Sequence, residues 1–454
     1  MAELQELEEI VENISFFIDN GDKTKLKNII IDSHPADLAD ILQALDKDKR
    51  IYLFNLIPTE MAANVIIMLD EVSRQEIAKY IKPRRLAQII DNMRSDDATD
   101  LISELPDAIA RSVLSFIEPQ ERADVEKLLR HGEETAGGIM ELEFLTVYED
   151  QTVDDAIQQV RQRAQEVDQV YYIYAIDRGG RLVGVVPIKK LFLEKPRNLI
   201  RDIMKSEVIS VPVDMDQEEV ANIVSKYDLV AVPVIDKYQR LVGRITIDDI
   251  VDVLQDEANE DIQLLAGISD EEIIQETSPL RISRNRLPWL IVAFAGQLLA
   301  AFILRQFEVT LAQVAALAFF IPVIMAMGGN AGIQSSTIII RGLALGESAS
   351  TEKWKLFLRE LRVALLNGFL LGLLIFAFIW LWLEEPYFGV VVGASMIFVI
   401  VNSAVLGALI PFLLGKFDLD PAIATGPFIT TTNDVLGLLI YLTLSTAYIA
   451  WAGT

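Results

Sequence analysis

The chain has no cysteine and only two histidines, His34 and His131, in 454 residues. Disulfides and thiolate metal sites are therefore excluded, and a transition-metal centre would find almost no nitrogen ligands. Any metal handled here is a hard, oxygen-preferring ion. Positive charge is also scarce, with 40 Lys+Arg against 66 Asp+Glu and a net charge of -26 at pH 7. A surplus of that size repels nucleic acid and anionic headgroups and attracts cations, so no nucleic-acid partner is expected. No Walker loop, activated nucleophile or pair of catalytic carboxylates stands out, which argues against an enzyme. The start, MAELQELEEI, lacks the basic and apolar stretches of a signal peptide, so the soluble half is expected to stay in the cytoplasm.

What is present is segregated. The chain is 52% hydrophobic and 23% charged, with room for two or three domains. From Arg281 onward there are 10 Lys/Arg and 9 Asp/Glu, whereas the first 280 residues carry 30 against 57. The first part is acidic and the second is apolar. Five apolar stretches, roughly 287 to 304, 314 to 340, 361 to 383, 388 to 415 and 424 to 450, are each long enough to cross a hydrocarbon core of about 30 Å. Arg281 to Arg286, the loop from Arg341 to Lys355, and Lys416 define the inner side. The loop with Glu384 and Glu385 lies opposite, so the N-terminus is expected inside and the C-terminus outside.

Residues 1 to about 130 read as helices, with similar pieces at Leu38–Leu42, Met61–Val65, Leu86–Ile90 and Ile109–Val113 recurring roughly every 24 residues. Stacked helix pairs in a small superhelix fit that spacing; a generic helical bundle is the alternative. After Gly137-Gly138 a second repeat of about 60 residues begins. Gly138-Ile139-Met140 matches Asp202-Ile203-Met204, and Arg181-Leu182-Val183-Gly184 matches Arg240-Leu241-Val242-Gly243. The runs Tyr172–Ile176 and Val230–Ile235 read as strands before hairpins. This arrangement resembles a tandem pair of CBS domains, a module that binds adenine nucleotides or reports ligand state. By that resemblance Thr246 and Asp249, in Gly243-Arg244-Ile245-Thr246-Ile247-Asp248-Asp249, are nucleotide-contacting candidates, and ATP is a possible ligand. The first copy has Pro187 and Lys190 at the matching places, so one nucleotide site is expected; alternatively, Asp249 only caps the next helix.

Inside the apolar stretches Asp434 is conspicuous, because a carboxylate in hydrocarbon costs about 3 kcal/mol on insertion scales unless it meets water or a cation. Either it faces a pore or it is buried neutral and hydrogen-bonded. Thr430, Thr431, Thr432 and Asn433 beside it, with Pro421, Gly426 and Pro427, offer oxygen ligands and local unwinding. A similar break is expected in the second span, where Pro322 precedes Gly328-Gly329-Asn330-Ala331-Gly332-Ile333-Gln334-Ser335-Ser336.

An acidic helical repeat, a CBS pair, a linking helix and five spans containing GGNAGIQ and TTTNDVLG together resemble the MgtE magnesium channel family over essentially the whole chain. The implied fold is a multidomain membrane protein. It comprises an all-α superhelical N domain (1–136), an α/β tandem CBS pair (137–256, as about 137–200 and 201–256), a linking helix (257–280) and a five-helix transmembrane domain (281–454). The implied pore site is Asp434 with Asn330, Thr431 and Gly329, one set per subunit of a homodimer. The implied regulatory Mg²⁺ ligands are Asp96, Asp100, Asp216, Glu218, Asp228, Asp249, Asp252, Glu257, Glu260, Asp261 and Asp420. Taken singly, each acid also reads as a solvated helix face. The implied function is Mg²⁺ uptake across the cytoplasmic membrane, shut by cytosolic Mg²⁺. A coupled secondary transporter with Asp434 as proton carrier, and a nucleotide-sensing membrane scaffold, are the alternatives.

Overall fold

The computed structural model describes residues 2–163, 167, 169–266, 279–344, 350–417 and 426–452. Two compact units result, Met1–Gln255 and Asp256–Thr454.

The first unit opens with ten helices: α1 (Ala2–Asp19), α2 (Lys23–Asp32), α3 (Pro35–Ala44), α4 (Lys47–Phe54), α5 (Thr59–Ile67), α6 (Glu71–Tyr80), α7 (Pro83–Ile90), α8 (Ser95–Ser103), α9 (Asp107–Leu114) and α10 (Pro119–Leu128). From α3 on, odd-numbered helices begin at residues 35, 59, 83 and 107, and even-numbered ones at 47, 71, 95 and 119. Both series therefore step by 24 residues. The step is fixed by what each repeat must bury: Leu38, Ala62 and Leu86 are fully buried at equivalent places, and so are Leu42, Ile66 and Ile90. Proline starts several of these helices, at the first turn of α3, α7 and α10, where its missing N–H costs nothing. α3 packs on α5, α5 on α7 and α7 on α9, so each pair shares its core only with its neighbours.

Two small sheets follow. The first comprises β1 (Thr146–Tyr148), α11 (Val153–Arg163), β2 (Tyr172–Ile176), β3 (Leu182–Pro187), α12 (Ile188–Leu193) and α13 (Ile200–Ile203). The second comprises β4 (Val211–Pro212), α14 (Gln217–Tyr227), β5 (Ala231–Ile235), β6 (Leu241–Thr246) and α15 (Ile247–Ala266). In each, the first strand pairs parallel and the last antiparallel to the middle one, and the register slips once, at Ala175/Ile176 and again at Val234/Ile235. The hairpin turns are also alike: Asp177 and Asp236 each accept from two backbone N–H groups, of Gly179 and Arg181 and of Tyr238 and Arg240. Gly180 and Gln239 both take positive φ, 81° and 63°.

The opening segments of the two copies are exchanged. Met140 packs on Gly243, in the core of the second sheet, while Met204 packs on Gly184, in the core of the first. The end of the second copy, expected at 256, falls inside α15, which runs unbroken to Ala266.

The second unit holds α16 (Pro279–Gln306), a short α17 (Glu308–Gln313), α18 (Leu317–Ala344), α19 (Ser350–Leu383), α20 (Pro386–Lys416) and α21 (Pro427–Ala452). Five helices are long and apolar enough to cross a membrane: Ile282–Gln306, Leu317–Leu343, Trp354–Leu383, Pro386–Leu414 and Phe428–Trp451. One expectation is corrected here. The second span does not break at Pro322 or the Gly-Gly-Asn segment, because α18 is continuous through both. Its glycines instead permit close helix approach: a Cβ at Gly407 of α20 would collide with the backbone carbonyl of Gly332 on α18. Gly372 of α19 and Gly393 of α20 face each other in the same way, each added Cβ lying 2.7 or 2.6 Å from the other's carbonyl oxygen. In the last span Pro427 starts the helix rather than interrupting it, and Pro421 lies outside the described residues.

Candidate ion site in the membrane and acidic interface in the soluble unit

Asp434 stands on α21, half-buried, and its Oδ2 accepts a 2.6 Å hydrogen bond from Gln297 Nε2 on α16. The preceding residue, Asn433, is 1% exposed and turned into the bundle. It accepts from the Ser403 hydroxyl of α20 and donates at 3.3 Å to the Met325 carbonyl of α18. Successive helical residues point about 100° apart, so anchoring Asn433 to two helices fixes where Asp434 is aimed. Gly328 lies directly against the Asn433 amide; Gly329 is buried with more room, and Asn330 is exposed on the same helix. Thr431 turns its methyl group onto Gly296 of α16.

Among the described residues no Lys or Arg pairs with Asp434; its hydrogen-bond partner is the neutral Gln297 amide. Asn433 was expected among the oxygen-bearing residues beside Asp434; Gln297 was not expected at the candidate site. A neutral amide in an apolar run carries little signal, and Gln297 is 137 positions from its partner. The third span also begins earlier than the hydropathy suggests and takes in Glu360, 5% exposed, to which the Ser335 hydroxyl donates at 3.4 Å.

In the soluble unit the acids gather where α8 meets the second CBS copy. Ser95 begins α8, and Glu143 closes that end from outside, accepting from Ser95 N at 3.2 Å and Ser95 Oγ at 2.8 Å. Arg94, just before the helix, donates to Asp97 at 3.1 Å, Asp248 at 3.0 Å and Asp249 at 3.1 Å. Asp96 and Glu141 each lie 3.8 Å from its guanidinium. Glu141 in turn pairs with Arg244, both almost fully buried. A cavity of about 190 Å³ opens beside them, lined by Asn64, Asn92, Arg94, Glu141, Gln169 and Thr246 among others.

This crowding shifts the acids. Burial, then Asp97, pushes Asp96 well above the usual carboxylate range, and the same causes bring Asp100 to about 7. Burial raises Asp249 against the opposing pull of Arg94. It raises Glu141 to about 7 despite Arg244. Asp248 goes the other way: burial opposes its charge, but the Thr246 hydroxyl and Arg94 outweigh it.

Of the remaining expected ligands, Asp216 caps α14, accepting from Glu218 N at 2.9 Å, and Glu218 is exposed beside it. Asp228 ends the same helix in the left-handed conformation, φ 50°. Asp249 and Thr246 close the start of α15: Asp249 Oδ2 accepts from Thr246 N at 3.1 Å and Thr246 Oγ1 at 2.7 Å, as in a capping box. Both nucleotide candidates are thus engaged with each other. Asp252, Glu257, Glu260 and Asp261 follow on α15, and Asp420 lies outside the described residues.

Three family descriptions match the chain in order: the MgtE intracellular N domain at residues 33–134, the CBS domain at 136–195 and 200–256, and a divalent cation transporter at 321–444. The magnesium transporter MgtE of Thermus thermophilus is 35% identical over 442 residues, covering 96% of this chain and 98% of the relative. That of Bacillus subtilis is 31% identical over 449 residues, covering 99% of each. This chain belongs to the MgtE family. A solved cytosolic domain of the Mg²⁺ channel MgtE in complex with ATP is 34% identical, with TM-score 0.52, covering 54% of this chain and 99% of that one.

Family membership places the chain among membrane transporters rather than enzymes. The transporter match contains both Asp434 and the segment from Gly328 to Ser336, and the MgtE N-domain match contains Asp96 and Asp100. The oxygens at the two candidate sites are carboxylate, the chemistry that suits a hard divalent ion. Among the described residues no three His, Cys, Asp or Glu side chains converge as a ready-made metal shell. An ion that keeps most of its water does not require one.

Proposed function

We propose that this protein is a Mg²⁺-selective channel that admits magnesium across the cytoplasmic membrane and is shut by cytosolic Mg²⁺. The observation that carries the reading is the full-length match to magnesium transporters, together with a membrane carboxylate held by one amide and by no cationic side chain among the described residues. The working unit is a homodimer, N-terminus inside and C-terminus outside. Two Asp434 carboxylates facing each other, with Asn330, Thr431 and Gly329 nearby, suit an ion that surrenders its inner waters reluctantly. The doubled charge disfavours monovalent ions.

Closure follows from charge. Without divalent ions, acidic surfaces repel; Mg²⁺ shared among Asp96, Asp100 and Asp249, and among Asp216, Glu218, Asp228, Asp252, Glu257, Glu260, Asp261 and Asp420, draws them together. α15 and the linking segment after it carry that change to the pore. ATP is a ligand of the CBS pair, with Thr246 and Asp249 as its contacts; the ATP complex of the related cytosolic domain supports ATP binding, not its position.

Mg²⁺ flux into liposomes holding the purified full chain tests this. Voltage-driven flux that Asp434→Ala abolishes, and that millimolar Mg²⁺ on the cytosolic face closes, is expected. Flux that needs a proton gradient would replace the channel with a coupled transporter.

A further inference from the structure

We propose that the exposed face of α19 is a binding site for an anionic phospholipid, with Lys355, Arg359 and Arg362 taking its phosphate group. The helix is divided lengthwise. One side packs on α20: Ala364 and Ile379 are buried, and a Cβ at Gly368 or Gly372 would press on Ile397 or Gly393. At about 100° per residue, Lys355, Arg359 and Arg362, and then Leu366, Phe369 and Leu373, fall on the opposite side, and all six are exposed. A single strip thus runs from three cations to three apolar side chains. At about 1.5 Å per residue its apolar part reaches roughly 16 Å beyond Arg362, half of a hydrocarbon core of about 30 Å. That is the outline of one phospholipid, headgroup first and acyl chains after it. The surplus of acid lies in the first 280 residues, so it does not oppose an anion here.

Depth and charge point to the same partner. Trp354, exposed at the start of the span Trp354–Leu383, is an aromatic of the kind that marks the headgroup level. Arg359 and Arg362 follow it by about one and two turns, inside the apolar span, where a cation is costly unless it reaches polar groups. Helical side chains lean toward the N-terminal end, so both guanidinium groups extend back toward Lys355 and the headgroups. Glu360 does not neutralise them. Its carboxylate is 5% exposed and accepts from the Ser335 hydroxyl of α18, with Arg359 Nε 3.5 Å away. The planar forks of two arginines suit a phosphate, and a basic patch beside acyl chains is the usual seat of an acidic headgroup. A second copy of the chain fits this face poorly, because a twofold contact would set three cations against three. A soluble acidic surface matches the cations but not the apolar side chains that follow them.

Tryptophan fluorescence tests this. Trp289→Phe, Trp380→Phe, Trp382→Phe and Trp451→Phe together leave Trp354 as the sole reporter in the full-length protein. This background is reconstituted in phosphatidylcholine vesicles that carry either brominated phosphatidylglycerol or the same mole fraction of brominated phosphatidylcholine. Brominated phosphatidylglycerol is expected to quench Trp354 several-fold more strongly. Arg359→Gln with Arg362→Gln is expected to bring the two lipids level, and Arg359→Lys with Arg362→Lys to keep most of the preference. Equal quenching by the two lipids with Lys355, Arg359 and Arg362 intact overturns the proposal, whether or not the glutamine variants fold. So does a preference that survives Lys355→Gln, Arg359→Gln and Arg362→Gln combined. Quenching by neither lipid overturns it as well, since the face would then be covered by protein.

Discussion

At the scale of single residues, the candidate membrane site holds one pairing that hydropathy cannot reveal, Gln297 with Asp434. Asp434 stands out because a charge interrupts an apolar run; Gln297 does not, because an amide interrupts nothing and its partner is 137 positions away. Gln297→Leu removes the donor and leaves a half-buried carboxylate oxygen unpaired, a loss of about 1–3 kcal/mol in such settings. Mg²⁺ flux in liposomes is expected to fall several-fold in this variant, with protein yield unchanged. Wild-type flux would show that Gln297 does not position Asp434. The glycines make a sharper contrast. A Cβ at Gly407 meets the Gly332 backbone, which cannot move aside as a side chain can, whereas a Cβ at Gly329 would find its nearest neighbour, Asn433 Nδ2, at 4.0 Å. Gly407→Ala is therefore expected to cost about 1–3 kcal/mol and lower the melting temperature in detergent, while Gly329→Ala leaves it nearly unchanged. The glycine-rich segment suggested an unwound helix because glycine reads the same in sequence whether it frees backbone or admits a neighbour.

Among secondary-structure elements, periodic burial was the legible signal. The 24-residue step follows from apolar positions that every repeat must bury, so helices α3, α5, α7 and α9 were legible in the sequence. The exchange of Met140 and Met204 between the CBS cores could not, since a repeat shows that two segments are alike and not which sheet each one packs on. The titration of α8 was equally hidden, because it arises from acids that the fold assembles. Burial and Asp97 bring Asp100 to about 7, and burial brings Glu104 to about 7 even with Arg74 3.0 Å away. A carboxyl whose folded value lies above its unfolded value favours the folded state below the unfolded value and loses that contribution as pH rises through the folded one. In chelator, the melting temperature of the soluble unit's transition is thus expected to fall between about pH 4 and about pH 7. Asp100→Asn should flatten that slope, as scanning calorimetry of the full chain would show. An unchanged slope would mean that Asp100 ionises normally.

Across the whole molecule, the division between the two units falls within a single helix, α15. α15 starts at the Thr246–Asp249 capping box, buries Ile250 and Val253 in the second CBS core, and continues through Asp256, Glu257 and Glu260 into the residues of the second unit. A continuous helix transmits displacement as a rod, whereas a break would let each half respond alone. Leu254 is 44% exposed, so its side chain contributes little to the core, and Leu254→Pro acts mainly on the backbone. Proline in a helix interior removes a hydrogen bond and kinks the chain at a cost of about 3 kcal/mol or more. The proposed pore residues lie on other helices, so Leu254→Pro is expected to keep Mg²⁺ flux while losing the proposed closure by cytosolic Mg²⁺; Leu254→Ala should keep both. Patch recordings with Mg²⁺ stepped on the cytosolic face separate the cases. Closure that persists in the proline variant would show that it does not depend on the continuity of α15.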